Sequence, residues 1–204
     1  KIDITSNLKI VKLNGSIKLG QFNIEFINLT HSILEPNGLS IKTPVGTILH
    51  TGDWKVDPNP LIGDKINEKK LREIGDSKVL AMICDSTNIF YPGRAGSEQD
   101  VRESLLKIMS LKSKKIVITS FASNVARMES VFYCAEKINR NVSLVGRSMN
   151  RIFKAARQCG YLQNIKDPID PRDAKKYPRE KIIYLCTGSQ GEPMGAMKRI
   201  IKDI

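Results

Sequence analysis

The amino-acid sequence predicts an α/β protein in two parts, a mainly β first part and a second part whose helices pack on a parallel sheet. Three observations carry this reading. Strand-like alternation and apolar runs dominate the first third, Tyr91-Pro92-Gly93-Arg94-Ala95-Gly96 interrupts both strand and helix periodicity, and three strand-loop-helix units then follow in series. Repeated βα units imply parallel strands, because each helix carries the chain back to the same edge of the sheet.

Residues 2–11 open the chain as a strand-like segment, and residues 22–29 alternate as a half-buried strand does. Residues 39–42 and 47–50 read as two strands joined across Thr43-Pro44-Val45-Gly46. Beyond the turn Asp57-Pro58-Asn59-Pro60, a short polar helix is expected over 68–74. A continuous apolar strand over 79–84 follows and ends in Asp85-Ser86-Thr87-Asn88, so that Asp85 is a carboxylate at a strand end. The interruption near Pro92 divides the chain into residues 1–92 and 93–204. Ser97 then has the chemistry of a helix cap, with acidic residues entering the first turn behind it. Strands at 115–119, 142–145 and 182–186 lead to helices at 124–138, 150–158 and from 192 onward.

The ends of those three strands are polar and glycine-rich. They read Ser120-Phe121-Ala122-Ser123-Asn124, Gly146-Arg147-Ser148 and Thr187-Gly188-Ser189-Gln190-Gly191-Glu192. Ligands of parallel sheets bind outside the carboxyl ends of the strands, where hydroxyls, glycine-permitted backbone approach and free helix N–H groups favour anions. Serine, asparagine and glycine also cap helices and make turns with no ligand involved. Three such loops in one basic chain favour phosphate.

At 204 residues with 41% hydrophobic content the chain is long enough to bury a core. Its 33 Lys and Arg against 21 Asp and Glu give a net charge of +12, which favours a polyanionic partner through counterion release. Cys84, Cys134, Cys159 and Cys186 have none of the short spacings of a thiolate metal site and read as reduced core residues, which fits the cytoplasm. No apolar run has the length of a membrane span, and no membrane partner is expected. The chain opens on Lys1 without preamble and stops at Ile204 inside an amphipathic segment, from which it is expected to be an internal piece of a longer protein.

The two histidines, His31 and His50, bring a more specific pattern. Thr30-His31-Ser32 follows a strand directly, and His50-Thr51-Gly52-Asp53 ends another. This pair resembles the third and fourth metal-binding motifs of the metallo-β-lactamase superfamily. Leu49-His50-Thr51-Gly52-Asp53-Trp54-Lys55, Cys84-Asp85-Ser86-Thr87-Asn88, Ser120-Phe121-Ala122-Ser123-Asn124, Val145-Gly146-Arg147-Ser148-Met149 and Thr187-Gly188-Ser189-Gln190-Gly191-Glu192-Pro193-Met194 resemble the ribonuclease J family in content and in order. Any one of these is weak alone; five in register cover nearly the whole chain.

The resemblance implies part of a metallo-β-lactamase αββα sandwich followed by an incomplete β-CASP α/β domain that clamps single-stranded RNA. It further implies a metal-dependent ribonuclease with exonuclease and endonuclease activity and two Zn2+ ions. At the matching positions, His31 ligates one zinc, Asp53 bridges both, and Asp85 orients a ligand or water. Ser120, Ser123, Asn124, Arg147, Ser148, Ser189, Gln190 and Glu192 fall where the family holds a nucleotide or 5′-phosphate. His50 is left as a strand residue or a support for the ligands. The family's His-x-His-x-Asp-His motif and its later histidines are absent, so the zinc shell is incomplete and the 204-residue piece is expected to be nearly inert alone. Ile33-Leu34-Glu35-Pro36 departs from the usual loop, and Ala126 stands where many members have histidine. The intact protein is expected to be a homo-oligomer. Two other readings compete: a different metallo-β-lactamase-fold hydrolase, which would lack the three βα units, and a non-catalytic RNA-binding or assembly subunit, which would have no need of both His31 and Asp53.

Overall fold

The computed structural model describes residues 8–191 and 195–202, and the chain divides into two compact units. The first comprises residues 1–31, 35–58 and 63–95, and the second comprises residues 32–34, 59–62 and 96–204. The first unit holds β1 (Ser16–Leu19), β2 (Phe22–Asn28), β3 (Asn37–Thr43), β4 (Gly46–His50), α1 (Glu68–Asp76) and β5 (Val79–Ile83). Its five strands lie in the order β1-β2-β3-β4-β5, antiparallel throughout except for the parallel pair β4 and β5. That exception follows from α1, which supplies the crossover a parallel pair needs. Ile27, Leu29, Leu49 and Ile74 form the core here, with Trp54 and Leu71 against them.

The strand expected over 2–11 is corrected over residues 8–11, which are irregular; residues 1–7 lie outside the described residues, and the first strand among the described residues is β1. It pairs with β2 through a two-residue turn at Gly20 and Gln21, with Gly20 at φ 58 as a tight hairpin of this hand requires.

The second unit contains α2 (Glu98–Ser110), β6 (Ile116–Thr119), α3 (Val125–Lys137), β7 (Asn141–Val145), α4 (Arg147–Gln158), α5 (Pro171–Ala174), β8 (Ile182–Cys186) and α6 (Ala196–Lys202). The strands are parallel in the order β6-β8-β7, as the repeated βα pattern requires. All five residues of the central β8 are buried. Ile183 and Leu185 pack with Val131, Leu144 and Phe153, whereas Ile182, Tyr184 and Cys186 pack with Ala174, Ala196 and Ile200. Alternate side chains thus enter cores on opposite faces, which is why this strand reads as a continuous apolar run. Helix α4 begins three residues earlier than expected, so Arg147 and Ser148 belong to a first helical turn and not to a loop. Cys134 and Cys186 are buried, but Cys84 and Cys159 are exposed, correcting their assignment to the core. Burial pushes the Cys186 thiol up to about 11, which keeps it protonated and unreactive near neutral pH.

Ser97 caps α2 through a reciprocal box: its hydroxyl accepts the Gln99 N–H at 3.1 Å, and the Asp100 carboxylate accepts the Ser97 N–H at 3.0 Å. The same hydroxyl donates to the Asn59 carbonyl at 2.8 Å. Ser97→Ala is therefore expected to lower stability by about 1–2 kcal/mol, read as a lower urea midpoint at unchanged m-value. An unaltered midpoint would show that the box contributes nothing.

Candidate functional site

Strand direction determines where the acidic and imidazole side chains of the first unit collect. Because β3 is antiparallel to both β2 and β4, while β4 and β5 are parallel, β2, β4 and β5 all end on one edge of the sheet. The register sets Asn28 opposite Asn37, Leu39 opposite His50, and His50 opposite Ile83. His31, Asp53 and Asp85 lie on the three segments that leave that edge.

Threonines tie those segments together. Thr30 forms an isolated antiparallel bridge with Lys55, its Oγ1 donating to the Lys55 carbonyl at 2.5 Å and accepting the Asp57 N–H at 3.1 Å. Thr51 donates its N–H to the Ile83 carbonyl at 3.0 Å, and its hydroxyl accepts the Asp85 N–H at 3.1 Å. The turn leading to Asp53 is set by Gly52 at φ 60, whose N–H donates to His50 Nδ1 at 3.0 Å. His50 thereby supports the backbone just ahead of Asp53.

Asp85 is held well as an anion. Its Oδ1 accepts the Thr87 hydroxyl at 2.6 Å and the Thr87 N–H at 3.0 Å. These bonds, with smaller contributions from the Trp54 N–H and the nearby His31, hold its carboxyl below the usual carboxylate range. It stays ionised at neutral pH and adds negative charge beside His31. Asp53 is exposed, and His31 is half-buried. Imidazole and carboxylate donors on one edge have the chemistry of a zinc site. Among the described residues, however, no group of three or more His, Cys, Asp or Glu could hold a metal ion. These residues do not form a metal shell by themselves.

In the second unit the register brings the three polar strand ends level, for Thr119 and Val145 both stand opposite Cys186. Strand β8 lies between the other two, so its loop lies between theirs. Ser120 is only 7% exposed, and its hydroxyl donates to the Phe121 carbonyl at 3.3 Å. Asn124 caps α3, its side chain accepting the Arg127 N–H at 2.9 Å. Ser123, Ser189 and Gln190 are exposed on their turns. Gly146, at φ 116, is the N-cap of α4 and provides no side-chain cap, leaving Arg147 exposed and Ser148 half-buried in the first turn. Asn150 fixes that turn from inside, donating to the Leu144 and Gly146 carbonyls at 3.1 and 2.9 Å. At Gly188 a Cβ would meet the Met197 Cβ at 2.6 Å, so glycine is required for α6 to pack there. Glu192 lies outside the described residues.

The sequence reading missed the supporting residues Thr30, Thr51, Thr87 and Asn150. Only Thr87 left a signal, since Asp-x-Thr is an Asx-turn pattern. Ala126 is buried in α3 at 8% exposure.

Residues 113–203 match the family described as "Ribonuclease J, beta-CASP domain". A ribonuclease J of Sinorhizobium meliloti is 41% identical over 196 residues, covering 96% of this chain and 35% of that protein. Ribonuclease J of Thermus thermophilus is 37% identical, covering 95% of this chain and 34% of that protein. Ribonuclease J of Corynebacterium glutamicum is 40% identical, covering 95% of this chain and 27% of that protein. The chain spans about a third of the length of the curated relatives it matches. A crystal structure of a protein of unknown function from Enterococcus faecalis V583 superposes with a TM-score of 0.60 over 95% of this chain and 52% of that chain. At 19% identity that likeness shows the fold alone.

Proposed function

We propose, from the match of residues 113–203 to the ribonuclease J β-CASP family and the 41% identity with a ribonuclease J over nearly the whole chain, that the intact protein is a member of the ribonuclease J family and a zinc-dependent ribonuclease hydrolysing phosphodiester bonds of single-stranded RNA. The observation that carries the reading is the collection of His31, Asp53 and Asp85 on one sheet edge, at the positions that match the family's motifs. Water attacks phosphorus, the bond to the upstream O3′ breaks, that oxygen leaves as a hydroxyl, and the downstream product keeps a 5′-phosphate. His31 and Asp53 would contribute donors to a two-zinc site, together with ligands that the described residues do not supply. Zinc there would acidify the attacking water and stabilise charge on the phosphate. Asp85, kept anionic by Thr87, orients a ligand or the water.

We place both exonucleolytic and endonucleolytic cleavage, homo-oligomer assembly and a cytoplasmic location within the same reading. No helix among the described residues is long and apolar enough to cross a membrane.

Labelled RNA and metal analysis test the proposal. The intact protein is expected to cleave RNA, to stop after chelation and to resume with Zn2+. The 204-residue segment alone is expected to cleave no RNA and to retain less than stoichiometric zinc. Two zinc ions held per segment would show that the ligand set has been misjudged, and chelator-resistant cleavage would remove the metal from the reaction.

A further inference from the structure

We propose that the outer face of α4 is a track for the backbone of single-stranded RNA, with Arg151 and Lys154 as phosphate contacts that extend the strand-end rim along the helix. The inference rests on the ribonuclease reading and adds a binding surface to it. Helix α4 contains four basic residues and no acidic one. Its buried face, Met149, Phe153 and Ala156, anchors it to the core. Arg147, Arg151 and Lys154 stand at i, i+4 and i+7 on the exposed side, so they form one stripe about 10 Å long.

That stripe lines a groove of about 720 Å³ that starts at Val145 and Gly146, at the carboxyl end of β7, and reaches Gln158, with Ile200 also in its wall. Among the described residues, no lining residue is acidic. The groove is thus continuous with the candidate phosphate rim at one end, and the charged side chains among its described lining are all basic.

Several basic side chains of the unit face a carboxylate, whereas the stripe faces none among the described residues. Arg157 of the same helix is bound to Asp167 at 2.6 Å and to the Leu162 carbonyl. Arg127 pairs with Glu98, Arg172 with Asp170, and Lys176 with Asp173. Among the described residues, Arg147, Arg151 and Lys154 make no such pair. Like charges one helical turn apart repel, a cost that a bound polyanion reverses. Phosphates spaced along a strand meet a spaced row of cations, and among the described residues the groove contains no aromatic side chain for base stacking. The contact is therefore to backbone and independent of sequence.

The test uses the intact protein in chelator, with anisotropy of a short fluorescein-labelled oligouridylate followed across a KCl series. Arg151→Gln combined with Lys154→Gln is compared with Lys112→Gln combined with Lys114→Gln, which removes equal charge from the loop ahead of β6. Losing two single-strand phosphate contacts lowers the slope of log K against log salt by about 1.4. The groove variant is expected to show that drop and the control to show little. Equal drops in both would reduce the effect to net charge and overturn the track. An unchanged slope in a groove variant that still binds and cleaves RNA would also overturn it, leaving the face for an acidic protein partner. Failure of the unaltered protein to bind RNA would instead remove the ribonuclease reading on which the track depends.

Discussion

Asp53→Asn in the intact protein is expected to abolish RNA cleavage while RNA binding survives. The amide keeps the size and shape of the side chain but removes the anionic oxygen proposed to hold cations at the sheet edge. Loss of one group that stabilises developing charge costs roughly 10²–10³-fold, and loss of the metal donor proposed for Asp53 stands at or above that range. RNA affinity arises chiefly from basic phosphate contacts, so it should change little or rise slightly as a negative charge disappears. His31→Ala is expected to match the loss, with zinc lost as well. His50→Ala should be milder, about 10–100-fold, because His50 acts through the Gly52 N–H that it accepts at 3.0 Å. Single-turnover cleavage and bound zinc, measured on all three variants, decide the assignment. Equally inactive histidine variants with equal zinc loss would move His50 into the ligand set.

The difference between the two histidines shows what was legible in the sequence. Motifs at strand ends could be read because they depend on short stretches, and β8 could be read closely because both of its faces are buried. The bonds that align the motifs were hidden. Thr30 reaches the Lys55 carbonyl across 25 positions, and Thr51 reaches Asp85 across 34. No periodicity or spacing rule connects residues so far apart. Residues 8–11 show the opposite failure: a strand-like composition supplies no partner strand, and among the described residues the sheet begins at β1.

Cap chemistry accounts for the early start of α4. Sequence rules favour a polar side chain as N-cap, which put the start of α4 at Asn150. The chain instead uses Gly146, and Asn150 turns inward to the Leu144 and Gly146 carbonyls. The early start exposes Arg147 at the head of the helix, where a sequence-based loop assignment had left it without a defined direction. Ser120 illustrates the converse, since a hydroxyl that reads as a phosphate donor is buried and already donates to Phe121.

Ser123→Ala combined with Ser189→Ala is expected to erase a preference for 5′-monophosphate RNA ends while internal cleavage continues. Both serines are exposed, one on the loop after β6 and one on the loop after β8, and these strands are hydrogen-bonded neighbours. Their hydroxyls can donate to a terminal phosphate without touching a base, so the preference should be indifferent to sequence. Hydrogen bonds to a charged group contribute about 1.5–3 kcal/mol each, or roughly 10- to 100-fold, and removing two should bring 5′-monophosphate and 5′-hydroxyl substrates close together. Glu192 has the wrong charge for phosphate and is proposed either to accept hydrogen bonds from a base or ribose or to stabilise the N-terminus of the helix expected from it. The measurement is the ratio of kcat/KM for the two kinds of end, before and after substitution, in the intact enzyme. If the ratio is large at first and unchanged afterwards, these loops serve as caps and turns, and the end of the RNA is recognised elsewhere.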